Sequence, residues 1–232
     1  MGFDASALPD VSDVTVGIFG ATGPQGRGLA YRFARGGLAV RIGSRVAERG
    51  EQAAAELAAL PGVAPGLVTG GDNGYAAASG VVVVAVPWEG HEATLRSLAP
   101  ALAGKIVVDC VNPLGFDGRG PFAIPVPEGS AAQQAEALLP ETRVTAAFHN
   151  VSAVLLADLD QPKVDCDVLV LGDDREATDV VRALADAIPG VRGVFGGRLR
   201  NAYQVECLTA NLIAINRRYK VHASIKITDL DG

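Results

Sequence analysis

Apolar residues occur along the chain in short continuous blocks, and amphipathic stretches of about three turns separate them. Residues 14–19 read as a first buried strand. A glycine-rich turn follows over 20–28, and 29–35 continue as a helix that Gly36 and Gly37 end. The same alternation predicts strands over 39–42, 67–69, 81–86, 106–111, 144–147, 168–171, 191–195 and 223–227. It predicts helices over 46–60, 73–78, 89–102, 130–138, 174–187 and 202–216, with Ser130 as an N-cap. The run Val81-Val82-Val83-Val84-Ala85-Val86 is apolar on both faces, as strands of parallel sheets are. Residues 112–129, rich in Gly and Pro, read as a loop. This order implies an α/β fold: a doubly wound Rossmann-type parallel sheet with a small C-terminal lobe. A boundary near residue 150 separates a dinucleotide-binding domain, 14–150, from the lobe, 151–232. Residues 1–13 are expected to form a disordered tail.

Length and composition narrow the function. At 232 residues the chain supports a core without staples, but not a dinucleotide domain followed by a second full-sized domain. No apolar run reaches the length of a membrane span, and no signal peptide is apparent. A net charge of −6 argues against nucleic acid as a partner. Cys110, Cys166 and Cys207 are odd in number and widely spaced, which suits reduced, mostly buried thiols and a cytoplasmic protein.

The chemistry concentrates at strand ends. Gly20-Ala21-Thr22-Gly23-Pro24-Gln25-Gly26-Arg27-Gly28 joins the first strand to the first helix. Glycines there admit a pyrophosphate to the backbone, and the helix start supplies free N–H groups. Enzymes that use NAD usually carry an acid at the end of the second strand. Here Ser44, Arg45 and Arg49 stand instead, which suits the 2′-phosphate of NADP. Pro87 and Trp88, the sole tryptophan, follow the valine strand. Trp88 is either a wall for a flat ring or a rim residue covering a helix. Asn112 and Pro113 follow the next strand; they are either a carboxamide contact with a candidate cis bond or a plain turn. His149 is at another strand end, as a ligand contact, a weak catalytic candidate or a structural residue. His91 and His222 are expected at the surface, and no spacing suggests a metal. No Tyr-x-x-x-Lys pair, Gly-x-Ser-x-Gly or P-loop is present. No acid–base pair stands out, so a reaction needing strong general acid catalysis is not supported; hydride exchange between two redox rings needs mainly orientation.

In their order and spacing, the glycine turn, Ile42-Gly43-Ser44-Arg45, Val86-Pro87-Trp88-Glu89, Asn112-Pro113-Leu114 and Ile215-Asn216-Arg217-Arg218-Tyr219-Lys220 resemble the NADPH-dependent reductases of coenzyme F420. The resemblance runs over about residues 14–230. It implies reversible hydride transfer between NADP(H) and the deazaflavin, with no catalytic side chain. It implies cofactor phosphates at Thr22, Gly23, Pro24 and Gln25, beside Gly20 and Gly26, and a 2′-phosphate at Ser44, Arg45 and Arg49. Trp88 and the segment containing His149, Asn150 and Ala153 match the nicotinamide and deazaflavin region. Other readings are a reductase of an imine, carbonyl, flavin or ferric substrate, and a non-catalytic NADP-binding sensor. The apolar helix over 202–216 is either core or a subunit interface, and a homodimer is expected.

Overall fold

The computed structural model describes residues 8–230. Eight strands form one sheet: β1 (Thr15–Phe19), β2 (Ala39–Ser44), β3 (Val68–Asp72), β4 (Val81–Val84), β5 (Ile106–Asp109), β8 (Arg143–Ala146), β9 (Cys166–Gly172) and β10 (Val191–Gly197). Their spatial order is β10-β9-β8-β5-β4-β1-β2-β3. β6 (Leu114–Asp117) and β7 (Gly120–Ala123) form a separate antiparallel hairpin. The expected loop over 112–129 therefore contains ordered structure, which alternation too short to register in the sequence did not signal.

Helices cover both faces. α1 (Pro24–Arg35), α2 (Ala47–Ala58), α6 (Ala153–Ala157) and α7 (Arg175–Asp186) supply Leu29, Leu57, Leu156 and Val181 to one core, with Val16, Ile18 and Val83. α3 (Asn73–Ala77), α4 (Trp88–Leu102), α5 (Ala131–Leu138) and α8 (Ala202–Tyr219) supply Ala76, Leu95, Ala131 and Val205 to the other, with Phe19, Val82 and Val84. β4 thus buries valines on both faces, each contributing about 1.5–3 kcal/mol. Ser130 caps α5, its hydroxyl accepting from Gln133 N–H at 3.0 Å.

Several expectations change. Leu8 packs on the first core and Val11 is only 9% exposed within it, so residues 8–13 are part of the body; residues 1–7 lie outside the described residues. β9 runs antiparallel to β8, and β10 runs parallel to β9. The physical reason lies in the link between β8 and β9. A parallel return needs a long crossover, and the only helix there, α6, has five residues, about 7.5 Å of rise. No strand forms over 223–227. Ile225 O accepts from Asp167 N–H, but Ile227 N–H donates to the Asp167 carboxylate at 2.6 Å rather than to a β9 carbonyl. Asp167 is itself gripped by the Arg192 guanidinium through Nε and Nη2, at 3.0 and 2.8 Å.

α6 is held from below. The Arg32 side chain is fully buried and donates to Leu155, Leu156, Asp158 and Gln161 carbonyls at 2.7–2.9 Å. α1 and α6 meet closely because Gly28 has no side chain: a Cβ there would fall 2.6 Å from Leu156 Cβ.

Candidate active site

The sheet register sets the strand-end residues side by side. Phe19 pairs with Gly43 and with Val84, Val84 with Asp109, and Asp109 with Ala146. Gly20, Ser44, Ala85, Cys110 and Ala147 are therefore level along the carboxyl edge. The strand order reverses between β1 and β4, and open sheets bind ligands at such a switch point.

The glycine turn there is shaped for close approach. Gly20 has φ +80°, and a Cβ would lie 2.4 Å from Ala85 O. A Cβ on Gly26 would lie 2.8 Å from Gly20 O, so α1 packs against the turn only with glycine. Pro24 opens α1 without an N–H, and Arg27 N–H bonds Gly23 O. That leaves Gln25 and Gly26 N–H without an intrahelical acceptor, at a dipole end with no acid in its first turn. Thr22 and Pro24 are exposed beside it.

One strand over, Ser44 ends β2 and Arg45 and Arg49 flank the start of α2, both exposed. Among the described residues, neither guanidinium is shown with an ion-pair or hydrogen-bond partner inside the protein. Two cations at a helix N-terminus oppose its dipole, an arrangement that an anion between them relieves.

Beyond β4 and β5 opens a cleft of about 220 Å³ lined by Gln25, Ala85, Val86, Pro87, Trp88, Cys110, Val111 and Asn112. A larger hollow, lined by Asp13, Thr15, Arg41, Ser79 and Ile106, is at the opposite, amino end of the strands. It has none of the residues predicted for the site. Asn112–Pro113 is a trans peptide, since the described residues contain no cis bond. Asn112 Nδ2 donates to His149 O at 3.3 Å, and Thr209 Oγ1 of α8 donates to the same carbonyl at 3.0 Å. Gln25 Nε2 donates to Phe148 O at 3.2 Å, tying α1 to the end of β8. Phe148 itself is buried at φ +66°, its ring packed edge-on against Phe33. A conformation of this kind costs about 1–3 kcal/mol and is held here by both contacts.

His149 is buried and its ring nitrogens complete no well-formed hydrogen bond. Burial pushes its pKa down to about 4, against the smaller pull of Asp109 and the Cys110 backbone. It is therefore neutral at pH 7. The Asn150 amide is bonded into the fold, donating to Asp167 O at 2.7 Å and Ser224 Oγ at 2.9 Å. Ala153 is partly exposed at the start of α6, where His149–Ala153 leads.

His91 overturns the surface expectation. It is fully buried, with Nε2 2.6 Å from Asp109 Oδ2 and Nδ1 3.0 Å from Gln134 Oε1. Half of the signal was present: Asp109 ends the otherwise apolar run Ile106-Val107-Val108 and a buried acid demands a partner, but nothing in the sequence says that the partner is His91. His222 is exposed, as expected. Nearby, the Glu206 carboxylate accepts from Ala131 and Ala132 N–H at 2.9 and 3.2 Å, across the α5 N-terminus. Burial raises its pKa to about 7, with Asp109 adding to the rise while the two N–H groups and His91 oppose it. The folded chain keeps this proton up to about pH 7, whereas an unperturbed glutamate loses it near 4.5. Stability contributed by Glu206 is thus full below that lower value and is lost as pH rises through 7. Thermal midpoints measured from about pH 4 to 8, a range that spans both values, should fall in the native protein and flatten in Glu206→Gln.

Similarity to known proteins agrees with this geometry. A family profile described as NADP oxidoreductase, coenzyme F420-dependent, matches residues 15–113. The chain is 42% identical to the F420-dependent NADP reductase of Methanothermobacter thermautotrophicus, over 93% of this chain and 95% of that protein. The chain belongs to the F420-dependent NADP reductase family. The enzyme of that name from Methanocaldococcus jannaschii is 40% identical over 93% of this chain and 99% of its own length. A solved structure of a putative F420-dependent NADP-reductase from an Arthrobacter species superposes with TM-score 0.75 at 27% identity. It covers 93% of this chain and 99% of that one. The family match spans the glycine turn, the Arg45 corner and the Trp88 cleft together. No described helix is long and apolar enough to cross a membrane.

Proposed function

We propose that NADP binds along the carboxyl edge of the sheet and that coenzyme F420 meets its nicotinamide in the Trp88 cleft. The protein is an oxidoreductase that moves a hydride between the two. In this reading the pyrophosphate rests on the Gly20–Gly26 turn, against the free Gln25 and Gly26 N–H groups. Ser44, Arg45 and Arg49 hold the 2′-phosphate. Val86, Pro87 and Trp88 form one wall of the ring slot, and Cys110, Asn112 and Pro113 the other, with His149 and Ala153 closing its far side.

The carrying observation is that this cleft opens directly beyond the glycine turn and holds no free acid or base. Cys110 donates to Val84 O at 3.1 Å, and burial pushes its thiol pKa up, out of the reactive range. His149 is neutral. Asp109 and His91 are bonded to each other. Such a site orients flat rings and excludes water, which suits a hydride passing between groups that supply their own reactivity.

Within the C-terminal part, α8 acts as the cover: it packs on β7 and reaches the slot through Thr209, while β9, β10 and α7 extend the sheet and its core. Phe116 and Phe122 on the hairpin and Tyr203, Ile215 and Tyr219 on α8 are exposed apolar residues that support a homodimer through this face. Light scattering is expected to give twice the chain mass. The composition supports a cytoplasmic setting. Mixed with NADPH and oxidised F420, the protein should bleach the visible deazaflavin band. An unchanged band at saturating NADPH overturns the proposal.

A further inference from the structure

We propose that the buried His91–Asp109 pair is a positioning device that holds both walls of the Trp88 cleft. This rests on the reading of that cleft as the ring slot.

The geometry makes His91 a cation. Nε2 faces a carboxylate oxygen at 2.6 Å and Nδ1 faces Gln134 Oε1 at 3.0 Å. The Gln134 amide is oriented by its own donor, since Nε2 reaches Glu128 Oε2 at 3.4 Å. Both ring nitrogens therefore meet acceptors, and an imidazole satisfies two acceptors only when doubly protonated. Burial by itself pulls the His91 pKa down, but the charge and hydrogen bond of Asp109, then Gln134 and Glu206, outweigh it and raise it. The charged or titratable groups facing the pair are Glu206 from α8, Glu128 behind Gln134, and Cys110 and His149 beside Asp109 of β5.

The pair reaches the cleft in two directions. The His91 ring lies against the Trp88 indole, with centroids 5.4 Å apart and planes inclined by 32°. The two residues are three apart on α4 and so share a face. A buried imidazolium against an indole adds an electrostatic hold to the packing. The other oxygen of the same carboxylate, Asp109 Oδ1, accepts from Val111 N–H at 3.0 Å. That bond sets the turn that carries Cys110 and Asn112 on the opposite wall. One ion pair thereby links the two walls and the distance between them.

The sole tryptophan makes this testable without any ligand. An adjacent imidazolium quenches indole emission, and neutral imidazole quenches it less. Native Trp88 emission should stay low through the ordinary histidine midpoint of about 6.5, and His91→Phe should brighten it and remove any pH response. Asp109→Asn should make emission rise across the neutral range, because the cation has lost its counter-ion. His91→Gln, which keeps a donor toward Asp109, guards against loss of fold, and circular dichroism checks each variant. In hydride transfer from NADPH to F420, His91→Gln should lower kcat about tenfold, an orientation loss, while NADP affinity, set at the distant phosphates, stays unchanged. Emission that ignores both His91→Phe and Asp109→Asn in folded protein overturns the pair's hold on Trp88. Emission that responds while kcat is unchanged overturns the cleft as the ring slot and leaves that hold standing.

Discussion

Replacing Arg45 and Arg49 together with Ala should weaken NADP binding by about 10²–10³-fold and leave NAD binding almost unchanged. Both guanidiniums are exposed at the start of α2, beside Ser44 and level with the glycine turn. A hydrogen bond to a charged group contributes about 1.5–3 kcal/mol. Two of them, discounted for solvent, come to about 3–4 kcal/mol, hence the fold-change. The native preference should shrink as salt rises, since the site is open to water. Calorimetric titration of the native and double-variant proteins with NADP and NAD, at low and high salt, decides the matter. Equal losses for both nucleotides would mean that the arginines do not read the 2′-phosphate.

The Arg32→Met variant is expected to lose on the order of 4 kcal/mol of unfolding free energy, a large part of the 5–15 kcal/mol typical of a domain. The guanidinium is the internal partner of four carbonyls around the end of α6. Each buried acceptor left without a donor costs about 1–3 kcal/mol. The methionine fills similar volume, so the loss reports the hydrogen bonds rather than a cavity. α6 follows directly on His149–Ala153, so hydride transfer should fall with stability. Urea unfolding gives the free energy, and limited proteolysis should find new cleavage between α6 and β9. A loss below about 1 kcal/mol, the typical scale of an ordinary substitution, would show that α6 stands without Arg32.

The contrast between those two sites shows what kinds of information the chain exposes. The Arg45 corner was legible because its logic is local: a strand ends, an expected acid is missing, and two arginines one turn apart take its place. Trp88 and Asn112 were legible as strand-end residues for the same reason. Arg32 was not, because its partners are 123–129 residues away and α6 is too short to show a helical period. The antiparallel turn of the chain at β9 was hidden for a related reason. Strand direction depends on whether the link recrosses the sheet, and residues 147–165 have no periodic pattern that reveals it.

His91 teaches the sharper lesson. Histidine on an amphipathic helix reads as solvent-facing, and nothing within four residues contradicts it. Its partners Asp109 and Gln134 are 18 and 43 residues on. Only the meeting of β5, α4 and α5 brings two acceptors to one ring. Asn150 shows the reverse case, placed at the right strand end but bonded into the fold by Asp167 and Ser224.

By itself, then, the sequence determined the alternation of strands and helices, the glycine turn, the exposed arginines at the end of the second strand and the class of reaction. These depend on short-range rules: period, turn chemistry and charge within a helical turn. The tertiary structure alone decided the register that sets five strand ends level, the antiparallel pairing of β8 and β9, and which polar groups are free to meet a ligand. Those are set by contacts between residues far apart in the chain, and a buried polar group reveals its role only when its partner is in view.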